Sequence, residues 1–155
     1  MQSIQIRKPT VFDVQYLAEN ARLADKEEVF WFNGGTIQQS LNETQGLYDN
    51  SCVLVVGGKL VCIYGMTPFD NDVWGAWLLA TDEFDNNKKL MRKLSKNIFR
   101  EMSSGKKYMF NFIWSKHKKA LAWVKWLGFR IGKPVPMGLN GELFCMIEMG
   151  ELNYV

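Results

Sequence analysis

The segment that constrains the fold most is 108–129, which reads YMFNFIWSKHKKALAWVKWLGF. Its first seven residues are apolar or aromatic except for Asn111, which is typical of a buried strand. The spacing of apolar residues then becomes helical, and the residues that share one face are Ala120, Trp123, Val124 and Leu127. Gly128 follows, where a residue with positive φ commonly ends a helix. The segment therefore predicts a strand, a turn, a helix and a further strand that starts at Phe129.

The length of 155 residues is that of one domain, 1–155, large enough to bury its own core. No apolar run approaches the roughly 20 residues that a membrane-spanning helix needs. The first residues, MQSIQIRKPT, lack the apolar core of a signal peptide. We therefore expect a cytoplasmic protein that makes no contact with a membrane.

Three cysteines and one histidine limit the metal and redox chemistry of the chain. An odd number of cysteines cannot all pair within one chain, so Cys52, Cys62 and Cys145 are interpreted as small apolar core residues. Cys52 and Cys62 flank Gly57-Gly58, and a two-residue turn there would point them to opposite faces of a hairpin. No Cys-x-x-Cys occurs, and we expect no metal site.

Acidic and basic residues are unevenly divided along the chain. The first 87 residues contain 12 acidic and 5 basic residues, whereas the remaining 68 contain 4 acidic and 14 basic residues. This division indicates one face suited to an anion, or a well-solvated surface with no specific partner.

The spacing of the apolar residues and the positions of the turn residues predict the order β-α-α-β-β-β-α-β-α-β-β. This order indicates a mixed α/β sheet with helices packed on it. The predicted strands are 3–7, the two arms of a hairpin within 51–66, 74–81, 108–114, 130–135 and 143–149. Thr10 is predicted to cap a first helix whose apolar face is formed by Val11, Val14, Ala18 and Ala21. A second, short helix is capped by Thr36 and Gln39. The two later helices are a basic one at 86–102 and one capped by Ser115.

This order resembles the GNAT superfamily of N-acetyltransferases over nearly the whole chain. Residues 6–13 look like its first strand and the Asp-bearing start of its first helix, and the Gly57-Gly58 hairpin looks like its second and third strands. Residues 120–129 look like its last helix with a Gly-Phe ending. The resemblance implies a mixed α/β (α+β) fold, with a central sheet of about six to seven strands and helices on both faces. It also implies acetyl-CoA as a possible cofactor.

A narrower resemblance involves 77–83, the basic helix, 123–129 and 134–144. These segments look like a phage-encoded branch of the fold that includes the internal virion protein A of podoviruses. That branch is linked to particle assembly. The resemblance implies a protein of the host cytoplasm or the virion whose partner is a phage or host protein.

The superfamily cradles the cofactor pyrophosphate with an Arg/Gln-x-x-Gly-x-Gly/Ala loop, and the corresponding segment 83–89 contains no glycine. Glu83 and Asp85 would repel an anion there, whereas Lys88 and Lys89 and a helix N-terminus would attract one. The residues that the resemblance assigns to acetyl-CoA, if it binds, are Leu79, Ala80, Thr81, Asn86, Asn87, Lys88 and Lys89. The alternative is an ordinary helix start capped by Asp85 or Asn86.

The resemblance also locates the catalytic positions. The family tyrosine that returns a proton to the leaving thiolate corresponds to Val124, and a frequent family asparagine corresponds to His117. The remaining candidates for a base are Asp82, Glu83 and His117. Alternatively, the two carboxylates face solvent and His117 is a helix-start residue.

Three functions therefore remain open from the sequence. The favoured one is a phage protein with a degenerate acetyl-CoA site that acts through protein interactions. The second is an active, atypical acetyl-CoA-dependent N-acetyltransferase. The third is a nucleic-acid-binding module that uses the basic C-terminal half, where aromatic residues such as Trp126 lie among lysines.

Overall fold

The computed structural model describes residues 2–151, which form eight strands and six helices. The strands are β1 (Ile4–Arg7), β2 (Ser51–Val56), β3 (Lys59–Phe69), β4 (Val73–Ala80), β5 (Tyr108–Trp114), β6 (Arg130–Ile131), β7 (Val135–Pro136) and β8 (Leu143–Gly150). The helices are α1 (Val11–Asn20), α2 (Leu23–Asn33), α3 (Ile37–Asn42), α4 (Asp82–Asn86), α5 (Lys88–Ser103) and α6 (Lys118–Leu127).

All eight strands belong to one sheet with the order β1-β2-β3-β4-β5-β8-β6, and β7 also pairs with β8. Every pairing is antiparallel except that of β4 with β5, so the sheet is mixed, as predicted. The strand count is eight instead of six to seven because the predicted strand 130–135 is divided into β6 and β7. Pro134 lies in the interruption and has no N–H with which to continue a ladder.

Helices cover both faces of the sheet, which confirms the expected architecture. On one face, α1 and α3 pack over β2, β3 and β4, and the buried side chains there include Val14, Leu17, Ile37, Leu41, Val53 and Ile63. On the other face, α5 packs over β2, β3 and β4, and α6 packs over β5 and β8. The space between the strands and these two helices becomes important for the site below.

The cap of α1 follows the sequence, and so does its buried face except at Val11. The Thr10 side chain accepts a hydrogen bond from Asp13 N, and the Asp13 carboxylate accepts one from Thr10 N. Val11 is nevertheless 62% exposed, so its predicted place in the core was wrong. The buried stripe runs through Val14 and Leu17 and reaches Ala21, and Ala18 packs beside it.

Helix α2 has no counterpart in the sequence prediction because its burial reverses the usual pattern. Leu23 is 71% exposed, whereas Asp25 is 1% exposed. A helix that buries an acid and exposes a leucine has no amphipathic period by which it could be recognised. Its buried acid is explained by the site described below.

The acidic, polar connection before the predicted helix 86–102 forms a short helix of its own, α4, which Thr81 caps by accepting a hydrogen bond from Glu83 N. Helix α5 then begins at Lys88 with Asn87 at the N-cap position. The interpretation of Asp85 or Asn86 as that N-cap was therefore wrong, since both lie within α4.

The β2–β3 hairpin contains a bulge that changes the direction of one cysteine. Val55 pairs with Leu60, but Leu54 pairs with Cys62, so Val61 is an extra residue on β3. Cys52 and Cys62 consequently face α5 together, and the prediction that they lie on opposite faces was wrong. Cys62 and Cys145 are buried free thiols, as expected of core residues, and Cys52 is partly buried.

We predict that Leu17→Ala lowers the free energy of unfolding by about 2–5 kcal/mol, because Leu17 is fully buried between α1 and the sheet. The matched change Val11→Ala on the same helix should cost less than about 0.5 kcal/mol, since that side chain is exposed. Urea unfolding of the two variants measures both values. Equal losses would show that the helix is rotated differently from the description above.

Candidate active site

The parallel strands β4 and β5 diverge and open a fork in the centre of the sheet. They pair only where Val73–Gly75 meets Tyr108–Phe110. Immediately beyond, the Asn111 amide donates a 2.6 Å hydrogen bond to Ala76 O and bridges the widening gap. The fork therefore opens toward the carboxyl ends of both strands, which is where parallel sheets commonly bind ligands.

Helix α2 fills the far end of the fork and contacts both of its arms. On the β4 side, Arg22 N donates to Ala80 O at 2.8 Å, and Ala80 N donates to the Asp25 carboxylate at 2.8 Å. On the β5 side, Trp114 N donates to Glu28 Oε2 at 3.0 Å. The backbone groups that diverging strands leave without partners are thus satisfied by one helix.

Asp25 is the centre of a buried polar network. Its Oδ1 lies 2.7 Å from His117 Nε2 and 3.0 Å from Arg22 Nη2, and all three residues are buried. His117 Nδ1 accepts from Ala120 N at 3.4 Å, which assigns the ring proton to Nε2. His117 is therefore the N-cap of α6, and the predicted cap Ser115 was wrong.

Charge pairing keeps Asp25 and Arg22 ionised despite their burial. Burial opposes the charge of Asp25, but the hydrogen bond from His117 and the Arg22 charge hold the pKa of the carboxyl below its ordinary value. Burial likewise opposes the charge of Arg22, while Asp25 and then Asp85 raise the pKa of the guanidinium. Arg22 Nη1 reaches Asp85 at 3.3 Å and so connects α2 to α4.

A cleft of about 710 Å³, here called the donor cleft, lies between the fork and helices α5 and α6. Its walls are mainly apolar, and the basic residues that line it are Arg22, Lys88, Lys89, Arg92 and Lys119. Trp123 also lines it, and its buried indole N–H has no hydrogen-bond partner within residues 2–151. An apolar trough with basic residues and one unsatisfied donor suits a ligand that has an apolar chain, a carbonyl and phosphates.

A second cleft of about 630 Å³, here called the acceptor cleft, lies on the opposite side of the fork beside α2 and α3. Its aromatic lining consists of Phe32, Phe69, Trp77, Phe110, Phe112 and Phe144. The charged residues that line it are Glu28 and Glu43, and no Lys or Arg among residues 2–151 does so. Acidic groups beside aromatic faces favour an organic cation.

The two clefts meet at Glu28, and the residues that line both are Glu28, Trp77, Leu78 and Asn111. Burial raises the pKa of Glu28 to about 7, and the hydrogen bond from Trp114 N opposes this only in part. A carboxyl with a pKa near neutrality at the junction of two clefts has the properties of a general base. Sequence reasoning missed Glu28 because α2 gave no recognisable pattern.

The acids and imidazole proposed from the sequence lie in different surroundings. Asp82 is exposed, and Glu83 lies 3.9 Å from the Lys59 ammonium; neither lines either cleft. His117 does line the donor cleft, but both of its ring nitrogens are engaged by Asp25 and Ala120. The structure therefore does not bring any of these three side chains into contact with another of them.

The residues expected to hold acetyl-CoA divide into two groups. Lys88 and Lys89 line the donor cleft. Leu79 lines the acceptor cleft, and Ala80 presents to the fork only backbone groups that Arg22 and Asp25 already engage. The other three lie away from both clefts: Asn86 is exposed, the Asn87 amide donates to Glu83 O, and the Thr81 hydroxyl donates to Leu60 O.

Two further features bear on the chemistry. Cys62 lines the donor cleft, but burial raises the pKa of its thiol to about 12, so it is a poor nucleophile at neutral pH.

Within residues 2–151, no three His, Cys, Asp or Glu side chains are grouped so as to hold a metal ion. No helix in that range is long and apolar enough to cross a membrane.

We predict that Asp25→Asn lowers the free energy of unfolding by about 3–5 kcal/mol, because it leaves the buried Arg22 with only the more distant, partly exposed Asp85 as a charge partner and Ala80 N facing an amide. Asp85→Asn is the matched control, since that carboxylate is partly exposed and should cost at most about 1 kcal/mol. Thermal unfolding of both variants tests this. A small effect of Asp25→Asn would mean that α2 is not held by the network.

No protein-family model matches the chain, and no curated protein matches its sequence. Solved structures do match its fold. The ribosomal-protein-S18-alanine N-acetyltransferase of Escherichia coli has a TM-score of 0.64 at 15% identity, covering 99% of this chain and 100% of that chain. An acetyltransferase of the GNAT family from Streptococcus pneumoniae has a TM-score of 0.58 at 12% identity, covering 95% and 98%.

A third match, an acetyltransferase from Bacillus subtilis solved in complex with CoA, has a TM-score of 0.64 at 12% identity and covers 98% of this chain and 100% of that chain. Identities this low establish a shared fold and nothing finer. The chain therefore has the fold of the GNAT acetyltransferases.

Proposed function

We propose that this protein is a GNAT-fold N-acetyltransferase that uses acetyl-CoA in the donor cleft and an amine in the acceptor cleft. The observation that carries the proposal is the position of Glu28, a carboxyl with a pKa of about 7 at the junction of the two clefts. Glu28 also accepts a hydrogen bond from Trp114 N, but that contact uses only one of its two carboxylate oxygens.

The donor cleft fits acetyl-CoA in three respects. The apolar walls suit the pantetheine arm, and the unsatisfied Trp123 N–H can donate to one of its carbonyls. Lys88, Lys89 and Arg92 line the same cleft and would attract the phosphates. Asn87 makes no side-chain cap, so the first N–H groups of the 16-residue helix α5 are free to meet an anion.

The same cleft departs from the superfamily pattern in two places. Helix α4 stands where the glycine loop would be, so the first turn of α5 would have to hold the phosphates without a surrounding loop. The backbone C=O and N–H of Ala80 are already hydrogen-bonded to Arg22 and Asp25. On β4, the nearest backbone groups that a ligand in the fork could reach are therefore those of Leu78. These departures favour weaker cofactor binding than a glycine loop would give.

The residues of the chain supply binding and proton removal. Acetyl-CoA, when bound, supplies the acyl thioester. Glu28, as a carboxylate, accepts the proton of an ammonium in the acceptor cleft and leaves a nucleophilic amine at the fork. The aromatic lining and Glu43 favour a cationic acceptor. Val124 is a buried apolar residue, so α6 provides no acid at the family position.

We predict that Lys88→Glu and Lys89→Glu each weaken acetyl-CoA binding about tenfold or more, because each replaces an attraction for phosphate by a repulsion. Isothermal titration at low and moderate salt measures the affinity, and Lys26→Glu on α2 is the control because it lines neither cleft. Unchanged binding in both cleft variants would count against this site.

We predict that Glu28→Gln lowers the rate of acyl transfer to amines about 10²–10⁴-fold, because an amide cannot accept the proton. The wild-type rate should rise as pH increases through about 7, where Glu28 loses its proton, and this rise should be absent in the variant. The adjacent change Glu27→Gln, which lines neither cleft, is the control. A wild-type activity that Glu28→Gln leaves intact would eliminate this residue as the base.

A second candidate function is that of a phage particle-assembly protein that acts on a phage or host partner, in the host cytoplasm or the virion, through its surface. The observation in its favour is a set of exposed apolar side chains on α1 and α2, comprising Val11, Phe12, Tyr16 and Leu23. This candidate predicts no heat with acetyl-CoA at either salt and a stable protein partner captured from infected cells. Cofactor binding that survives moderate salt would favour the enzyme instead.

A further inference from the structure

A basic stripe runs along the outer surface of α5. Its members are spaced four, three and four residues apart, which places them on one side of the helix, and they are Lys89, Lys93, Lys96 and Arg100. All four are exposed. At 1.5 Å per residue the stripe is roughly 16 Å long.

The positive charge of this stripe is not neutralised within the chain. Helix α5 contains one acid, Glu101, and α6 beside it contains none. None of the four stripe residues forms an ion pair within residues 2–151, whereas Lys116, Lys119 and Arg130 do. Like charges at this spacing weaken a helix, so the stripe costs stability unless an external anion binds to it.

The proposed cofactor site does not account for the whole stripe. Lys89 lines the donor cleft, but Lys93, Lys96 and Arg100 do not. The charge thus continues for two further helical turns beyond the position where the phosphates of acetyl-CoA would lie.

An aromatic ring accompanies the charges. Trp126 on α6 is 38% exposed, and the Lys96 ammonium lies 4.6 Å from the centroid of its ring. Trp126 also lines the donor cleft, and its ring lies next to Lys96 in the middle of the stripe. An exposed indole beside phosphate-binding groups is the combination that binds an unpaired nucleobase by stacking.

We propose that the stripe and Trp126 bind single-stranded nucleic acid. The lysines and the arginine would contact successive phosphates, and a base would stack on Trp126. A duplex hides the faces of its bases, and an acidic peptide would use the charges but not the ring. Single-stranded nucleic acid uses both features.

The test measures binding of a fluorescent 12-nucleotide oligo(dT) or oligo(rU) to the full chain, by anisotropy, between 50 and 200 mM salt. Affinity should fall as salt rises. The triple variant Lys93→Gln/Lys96→Gln/Arg100→Gln should bind at least about tenfold more weakly, with a salt slope smaller by about 2, since three phosphate contacts are lost. Lys26→Gln/Lys59→Gln, which changes exposed lysines outside α5, is the control.

Replacement of the ring separates this proposal from charge alone. Trp126→Ala should weaken oligonucleotide binding about tenfold with an unchanged salt slope, and Trp126→Phe should restore most of it. The proposal is overturned if Trp126→Ala binds like the wild type, if a duplex or heparin binds as tightly as the single strand, or if the salt response is flat. It is also overturned if Trp126→Ala weakens acetyl-CoA binding only, since the ring would then belong to the cofactor site.

The same variants keep this proposal distinct from the enzyme. The triple variant changes no residue that lines the donor cleft, so its acetyl-CoA titration should match that of the wild type. Circular dichroism and the melting temperature identify any variant that fails to fold. Oligonucleotide binding without cofactor binding would leave this inference standing while the proposed function failed, and the reverse result would do the opposite.

Discussion

The interaction on which the rest of the structure depends is the buried carboxylate of Asp25. It accepts hydrogen bonds from Ala80 N on β4, from His117 at the start of α6 and from Arg22, which in turn reaches Asp85 on α4. Asp25 therefore holds β4 and α6 to α2 directly, and it holds α4 through Arg22. Without Asp25, the N–H of Ala80 would have no hydrogen-bond partner, because β4 no longer pairs with β5 at that point of the fork. A buried backbone group without a partner is strongly unfavourable.

Glu28, one helical turn after Asp25, shows the opposite balance between pairing and burial. Asp25 has a buried cation beside it and a lowered pKa, whereas burial raises the pKa of Glu28 to about 7. The folded state therefore binds the Glu28 proton more tightly than the unfolded chain does. Binding of this proton stabilises the folded state fully below the pKa that Glu28 has in the unfolded chain, and the stabilisation is lost as pH rises toward about 7. The carboxylate form, which a general base needs, is therefore the form of Glu28 that stabilises the folded state least.

The sequence reveals those parts of the fold whose signals are local. The strand–helix–Gly unit of 108–129, the capping boxes at Thr10 and Thr36, and the β2–β3 turn all follow from short-range spacing. The features that sequence reasoning missed are set by partners far along the chain. The Val61 bulge reverses the direction of Cys62, and α2 buries Asp25 and exposes Leu23 because the fork needs hydrogen-bond acceptors there. Glu28 could not be recognised as a site residue without the second cleft beside it.

The departures from the superfamily pattern are concentrated on the donor side of the fork. Helix α4 stands where the sequence resemblance implies a glycine loop, the Ala80 edge is covered by Arg22 and Asp25, and Val124 stands where the resemblance implies a tyrosine. These changes support one another, because α4 carries the Asp85 that pairs with Arg22, and Arg22 and Asp25 satisfy the edge that a cofactor would otherwise use. The acceptor side keeps an open cleft and a carboxyl poised near neutrality. A ligand that binds the donor cleft must therefore gain its affinity from the apolar walls and the basic first turn of α5, instead of from the backbone of β4.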